Sequence, residues 1–177
     1  MNIEKLKEPL LIESIDFRVQ SVNKGGYATI LAYKDARVDM NRLDDVVGAL
    51  NWKRQHLDNN KTCIVSIWNE KTSQWISKED VGTQSNTEAA KGLASDSFKR
   101  ACFNWGIGRE LYDYPIIMIK LNDLEFDKNT KKATWDFKLK EWTWISEFKE
   151  GKLLGLAAKD QNGKLRFKHG EFTPKTK

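Results

Sequence analysis

Lys99 and Arg100 stand side by side in "SDSFKRACFNWGIGRELYDYP", residues 95–115, between the apolar Phe98 and Ala101 and just ahead of a glycine-punctuated aromatic turn. Two cations at such a position suit contact with phosphate oxygens, Arg through its planar fork and Lys as a compact point charge. The competing reading is a solvated helix face on which Asp96 pairs with Arg100 at i,i+4, an interaction of only a few tenths of a kcal/mol. Lys91 lies two turns earlier on the same helix, and Arg18, Lys24, Arg37, Lys53 and Arg54 are further cations expected to be exposed on strands and turns. Of the seven tryptophans, Trp105 reads as core, while Trp142 and Trp144, in a lysine-rich stretch, are candidates for stacking on bases.

Other chemistries find little support. The chain has no GxxxxGK[ST], HExxH or GxSxG motif and no Cys/His spacing suited to a metal. His56 and His169 stand apart, without carboxylate clusters. Glu79 and Asp80 are neighbours on a strand, so they point to opposite faces and do not form a dyad. The one enzyme-like feature is an acid two residues from a lysine, at Asp136 with Lys138 and Glu147 with Lys149, which a metal-dependent nuclease could use. Such spacing arises readily by chance in a chain this charged. The reading is therefore of a binding protein, not an enzyme, with no cofactor and no metal.

Charge sharpens that expectation. The chain has 177 residues and a formal net charge of +5, which permits a polyanionic partner. Residues 1–119 carry 16 basic and 16 acidic side chains, so the surplus lies in residues 120–177, with 14 basic against 9 acidic. A cationic groove in the first part must be a local concentration of charge. Cys63 and Cys102 sit in apolar surroundings and read as buried free thiols in a reducing compartment. The N-terminal residues lack the apolar run of a signal peptide or membrane span, so a soluble, cytoplasmic protein with no membrane partner is expected.

The elements that must position these residues are legible from periodicity. A short helix over residues 2–8 ends at Pro9; "IDFRVQSV" alternates as a half-buried strand, and "NKGG" turns it into "YATILAYK" as a hairpin. Asp39 is placed to cap a helix whose Leu43, Val46, Val47 and Leu50 share a face. Strands follow at 52–58, 61–69 and 74–82, joined by turns short enough for an antiparallel meander. Asn86 or Ser85 caps a long helix from Thr87 to about Trp105, with Ala90, Ala94, Phe98, Ala101 and Trp105 as the stripe laid on the sheet. Gly106 and Gly108 end it, and "PIIMIKL" adds a last strand. Beyond residue 121 a small β element is expected, with "DQNGK" as a hairpin turn and "EFTPKTK" as a frayed tail.

Residues 75–115, "WISKEDVGTQSNTEAAKGLASDSFKRACFNWGIGRELYDYP", resemble the diagnostic segment of the Rad52 superfamily of single-strand annealing proteins, above all its bacteriophage members: the "EDVG" strand end, the "EAAKGLASDSFKRA" helix and the "WGIGRELY" turn stand in the family's order and spacing. The resemblance implies an α+β fold: a β-β-α-β-β-β-α core, with an antiparallel sheet packed on a long helix, that assembles as a homo-oligomer into a ring or filament. It divides the chain into an annealing core, residues 1–121, and a basic, aromatic C-terminal element and tail, residues 122–177. In the family, single-stranded DNA lies in a cationic groove whose floor holds a Lys-Arg pair, here Lys99 and Arg100, with Lys91 at a further basic position. Arg18, Lys24 and Arg37 are the candidates for the opposite wall. Gly106 and Gly108 match the turn and read as structural. The implied function is ATP-independent annealing of complementary strands in recombination and repair, in the bacterial host cytoplasm for a phage protein. A single-strand DNA or DNA-end binding mediator or protector without productive annealing is the alternative. A host or phage single-strand-binding protein or exonuclease is the candidate protein partner.

Overall fold

A computed structural model describes residues 2–83 and 89–173, the side chains of residues 89–91 excepted. The helix start at Thr87 and its caps Asn86 and Ser85 lie outside the described residues, as do residues 174–177. The architecture is α+β, with antiparallel sheets and, among the described residues, two α-helices, and the chain divides into two compact units.

The first unit comprises residues 1–10 and 34–109. Its sheet is the meander β3 (Trp52–Leu57), β4 (Thr62–Asn69) and β5 (Gln74–Val81), preceded by helix α1 (Ala36–Val47) and followed by helix α2 (Ala89–Trp105). The sheet has two chemically distinct faces. Cys63, Val65 and Ile67 of β4 are buried beneath α2, where they meet Phe98, Ala101, Cys102 and Trp105. The Trp105 indole N–H donates to the carbonyl of Val65 at 3.0 Å, so this large ring is buried with its one polar group satisfied. On the other face Ser66 bonds Ser77 at 2.9 Å and Trp68 meets Trp75 edge-on.

Two glycines are dictated by close approach. A Cβ on Gly82, at the end of the "EDVG" strand, would sit 2.7 Å from the backbone nitrogen of Ser97, so only glycine lets the strand exit pass against α2. Gly108, with φ +71, lies directly under the stem of Lys34.

Helix α1 begins four residues earlier than expected. Asp35 is its N-cap, accepting from the Arg37 backbone N–H at 2.9 Å. Asp39 is instead fully buried inside the helix, ion-paired to Lys34. Because the helix ends at Val47 with Gly48 after it, Leu50 falls outside the apolar stripe and is 93% exposed. The N-terminal segment is a 3₁₀ helix, Ile3–Lys7, whose Leu6 is buried and whose end is held by the Arg42 guanidinium on the carbonyls of Lys5 and Glu8.

The second unit comprises residues 11–33 and 110–177. Here β1 (Asp16–Val22) and β2 (Tyr27–Tyr33) form the expected hairpin, and β6 (Ile117–Lys120) pairs with β2. The C-terminal element is larger than one hairpin. β9 (Thr143–Lys149), β10 (Lys152–Lys159) and β11 (Leu165–Gly170) make a three-stranded sheet, and β7 (Phe126–Asp127) with β8 (Lys132–Ala133) a small hairpin. Ala28, Ile30, Ile117, Ile119, Phe137 and Leu156 belong to the unit's core. Residues 171–173 are not frayed: the Glu171 N–H donates to Leu154 O at 3.1 Å, and the Thr173 N–H to the Glu147 carboxylate at 3.0 Å.

Candidate nucleic-acid interface

Helix α2 sets the geometry. Burial of Phe98, Ala101, Cys102 and Trp105 fixes its rotation on the sheet, and that leaves Lys99 and Arg100 on its flanks, both part-exposed. Consecutive helical residues turn by about 100°, so the two cations straddle the helix. Arg100 reaches toward β5, where its Nε donates to the Asp80 carboxylate at 3.4 Å. The Asp96–Arg100 pair of the competing solvated-face reading does not form, because Asp96 accepts from the backbone N–H of Thr83 at 2.8 Å and from its hydroxyl. The Asp35 carboxyl is held below its ordinary range first by its hydrogen bonds from Arg37, and then by the charges of Arg37 and Lys99. Arg37 bonds that carboxylate directly, its Nε at 2.8 Å, and the Lys99 charge adds to the same field.

Other cations on this side of the sheet are tied to helix α2. Lys78 of β5 donates to the Asn104 carbonyl at 2.6 Å and lies 4.6 Å from the centre of the Trp105 ring. Arg109 donates to the Phe103 carbonyl at 2.6 Å. Both put positive charge on the negative end of the helix dipole. Neither was singled out in the sequence. The available signal was Lys78 two residues from Asp80 on one strand face, and an Arg directly after the terminating glycines.

The remaining candidates divide. Arg54 faces α2, its guanidinium 4.9 Å from the Phe98 ring centre, whereas Lys53 is on the opposite sheet face, 4.3 Å from the Trp75 ring centre. Arg18, beside the Tyr33 ring, and Lys24, in the β1–β2 turn, are exposed in the second unit. The side chain of Lys91 lies outside the described residues. Trp142 and Trp144 are not free to stack on bases: Trp142 is 7% exposed with its edge on Phe137, and Trp144 stacks flat on Phe17 at 3.7 Å.

The titratable groups with enzyme-like chemistry are otherwise engaged. His56 lies between Ser97 and Cys63, and burial pushes the Cys63 thiol up to about 11, far from a reactive thiolate. Glu147 accepts the Thr173 hydroxyl and N–H, and Asp136 is an exposed turn residue. Among the described residues no helix is long and apolar enough to cross a membrane.

Residues 66–131, from mid-β4 through β5 and α2 to the β7–β8 turn, match the model of the Rad52/22 family double-strand break repair protein. The chain is also 29% identical over 115 residues to the single-stranded DNA-binding protein DdrA of Deinococcus radiodurans, covering 63% of this chain and 55% of that protein. Its similarity to DdrA of Deinococcus deserti is 29% over 123 residues, covering 68% of this chain and 61% of the relative. The chain thus spans between about half and two thirds of the length of these relatives. The matched residues 66–131 include α2 with Lys99 and Arg100, the strand that supplies Asp80 and the glycine turn beneath Lys34, and it is over this segment that the chain is similar to the Rad52/22 family.

Proposed function

We propose that this chain binds single-stranded DNA through the flanks of α2 and, as a homo-oligomer, anneals complementary strands without ATP during recombination or repair. The observation that carries the reading is the placement of Lys99 and Arg100 beside the buried Phe98, on the helix within the Rad52/22-matched segment. Lys99 is part-exposed and Arg100 is held by one half-exposed ion pair, so both can exchange partners for phosphate. Single subunits with few contacts bind weakly, but subunits arrayed along one strand add their contacts into strong, salt-sensitive, sequence-blind affinity. The sheet face opposite α2, with Trp68, Trp75, Ile64 and Leu57 part-exposed, gives such an array an apolar surface for association. Arg18, Lys24, Arg37 and Arg54 remain candidates for further phosphate contacts, and residues 1–121 for the annealing core.

A second reading is supported by the relatives' names, which describe single-stranded DNA binding and not annealing. In that reading the chain protects strands or ends. One experiment separates the two: annealing of complementary dye-labelled oligonucleotides across a salt series, without ATP, with wild type and Lys99→Ala/Arg100→Ala. Acceleration by wild type that weakens with salt and collapses in the variant supports annealing on α2. Strand binding without acceleration leaves the protective role. Each lost phosphate contact should reduce the magnitude of the salt slope by about 0.7.

A further inference from the structure

Trp135 is 99% exposed, while Trp142 and Trp105 are 7% exposed and the remaining four are at least partly covered. An indole wholly in water is an unusual use of the largest apolar side chain. Its backbone is nevertheless held. Trp135 occupies a turn closed by the Phe137 N–H on the Thr134 carbonyl at 3.2 Å; Thr134 is tied back to Glu125, and Phe137 is buried. The ring is therefore presented from a fixed base.

It borders a cleft of about 650 Å³ in the second unit, between the β7–β8 hairpin and strand β1, lined also by Lys131, Lys132 and Gln20. Three features suit this cleft to a charged planar ligand. The hairpin tip is braced by Asp127, which accepts from the N–H groups of Asn129 and Thr130, and Lys131 follows in a left-handed conformation, φ 56. Lys131 and Lys132 form no salt bridge among the described residues, Lys131 lying 5.9 Å from the Phe126 ring centre with its charge felt by Asp127, whereas neighbouring Lys128 and Lys138 pair with Asp123 and Glu141. Strand β1 bulges between Val19 and Ser21, leaving Gln20 out of the ladder at the cleft.

We infer that this cleft is a second contact for single-stranded DNA, in which an unpaired base stacks on Trp135 while the adjoining phosphates meet Lys131 and Lys132. Aromatic stacking accepts any base, and the two lysines supply the charge that a purely apolar pocket would lack. Gln20 brings an amide donor and acceptor to the base edge. The inference rests on the proposed strand-binding function. It concerns residues of the second unit, none of them part of the Lys99 and Arg100 site, and of Gln20, Lys131, Lys132 and Trp135 only Lys131 falls within the Rad52/22-matched segment.

The test measures binding of the full chain to a dT oligonucleotide and to an abasic strand of the same length, using wild type, Trp135→Ala, Trp135→Phe and Lys131→Ala/Lys132→Ala. Stacking predicts that Trp135→Ala weakens dT binding at least about fivefold while leaving abasic-strand binding unchanged, and that Trp135→Phe retains most of the affinity. The lysine pair should weaken both strands and flatten the salt dependence. Unchanged dT affinity in Trp135→Ala, or an equal loss on both strands, overturns the stacking contact while leaving the α2 site standing. Failure of wild type to bind dT at all overturns the strand-binding function and this inference with it.

Discussion

The backbone of Gly108 passes so close beneath Lys34 that a Cβ at that position would sit 2.5 Å from the lysine Cε and 2.8 Å from its Cδ. The lysine cannot move aside freely, because it is buried, ion-paired to Asp39 and 4.6 Å from the centre of the Phe103 ring. Gly108 also has φ +71, which L-residues adopt at a cost. Gly108→Ala should therefore destabilise the fold by about 2–4 kcal/mol, from the left-handed backbone plus overpacking against a fixed neighbour. Urea unfolding followed by tryptophan fluorescence measures this. A loss below about 1 kcal/mol would mean that Lys34 gives way.

Under the proposed function, Asp80 would compete with DNA for Arg100. The pair is 3.4 Å apart, with the side chains 39% and 24% exposed, a geometry in which the net interaction is small. Asp80→Asn should release the guanidinium and remove a negative charge from the strand path, raising single-strand affinity about two- to fivefold at low salt with the gain fading as salt rises. Fluorescence anisotropy with a dT oligonucleotide provides the check. The same substitution in an Arg100→Ala background should give a smaller gain. Equal gains in both backgrounds would show that Asp80 acts only through its own charge.

The meander was legible from three strand candidates joined by short turns, and in the structure burial on β4 follows the pleat because α2 covers one face: Cys63, Val65 and Ile67 are in the core. The rotation of α2 was legible too, since Phe98, Ala101 and Trp105 recur at helical steps. What pattern could not show was the partner of each charge. Asp35 and Asp39 both precede an apolar helical run, and only the tertiary burial of Lys34 draws Asp39 inside and leaves Asp35 as the cap. Likewise Trp135, Trp142 and Trp144 lie within ten residues of one another in a lysine-rich segment. Their fates are set by Phe17 and Phe137, and Phe17 lies more than a hundred residues away along the chain.

Arg166 joins two buried carboxylates in the second unit. It donates to Glu125 at 2.8 and 2.9 Å and lies 3.4 Å from Asp160, with the Lys120 carbonyl as a further acceptor and the Trp142 ring beneath it. Glu125 and Asp160 are 4% and 8% exposed, so removing the guanidinium would leave two charges without their counter-ion. Arg166→Ala should cost about 3–5 kcal/mol, as expected for breaking a buried pair from one side. Arg166→Lys should recover only part of this, since one ammonium cannot reproduce the bidentate contact. Thermal unfolding of the three proteins would test the ranking. Equal stability of the Lys variant and wild type would show that charge alone matters.

The Lys34–Asp39 pair predicts a pH dependence of definite sign. Burial is the dominant influence on both groups, lowering the Lys34 pKa and raising that of Asp39 to about 6 despite the lysine beside it. A carboxyl whose folded pKa exceeds its unfolded value binds protons more readily in the native state, so its contribution to stability grows as pH falls from about 7 toward 4 and is lost as pH rises through the folded pKa. The stability of wild type minus that of Asp39→Asn should therefore increase by about 1 kcal/mol between pH 7 and pH 5. Taking the difference cancels the titration of other carboxylates, which both proteins share. Denaturant midpoints at the two pH values supply the measurement. A difference that shrinks on acidification would mean that the carboxylate is held ionised by Lys34, with the ion pair outweighing the cost of burial.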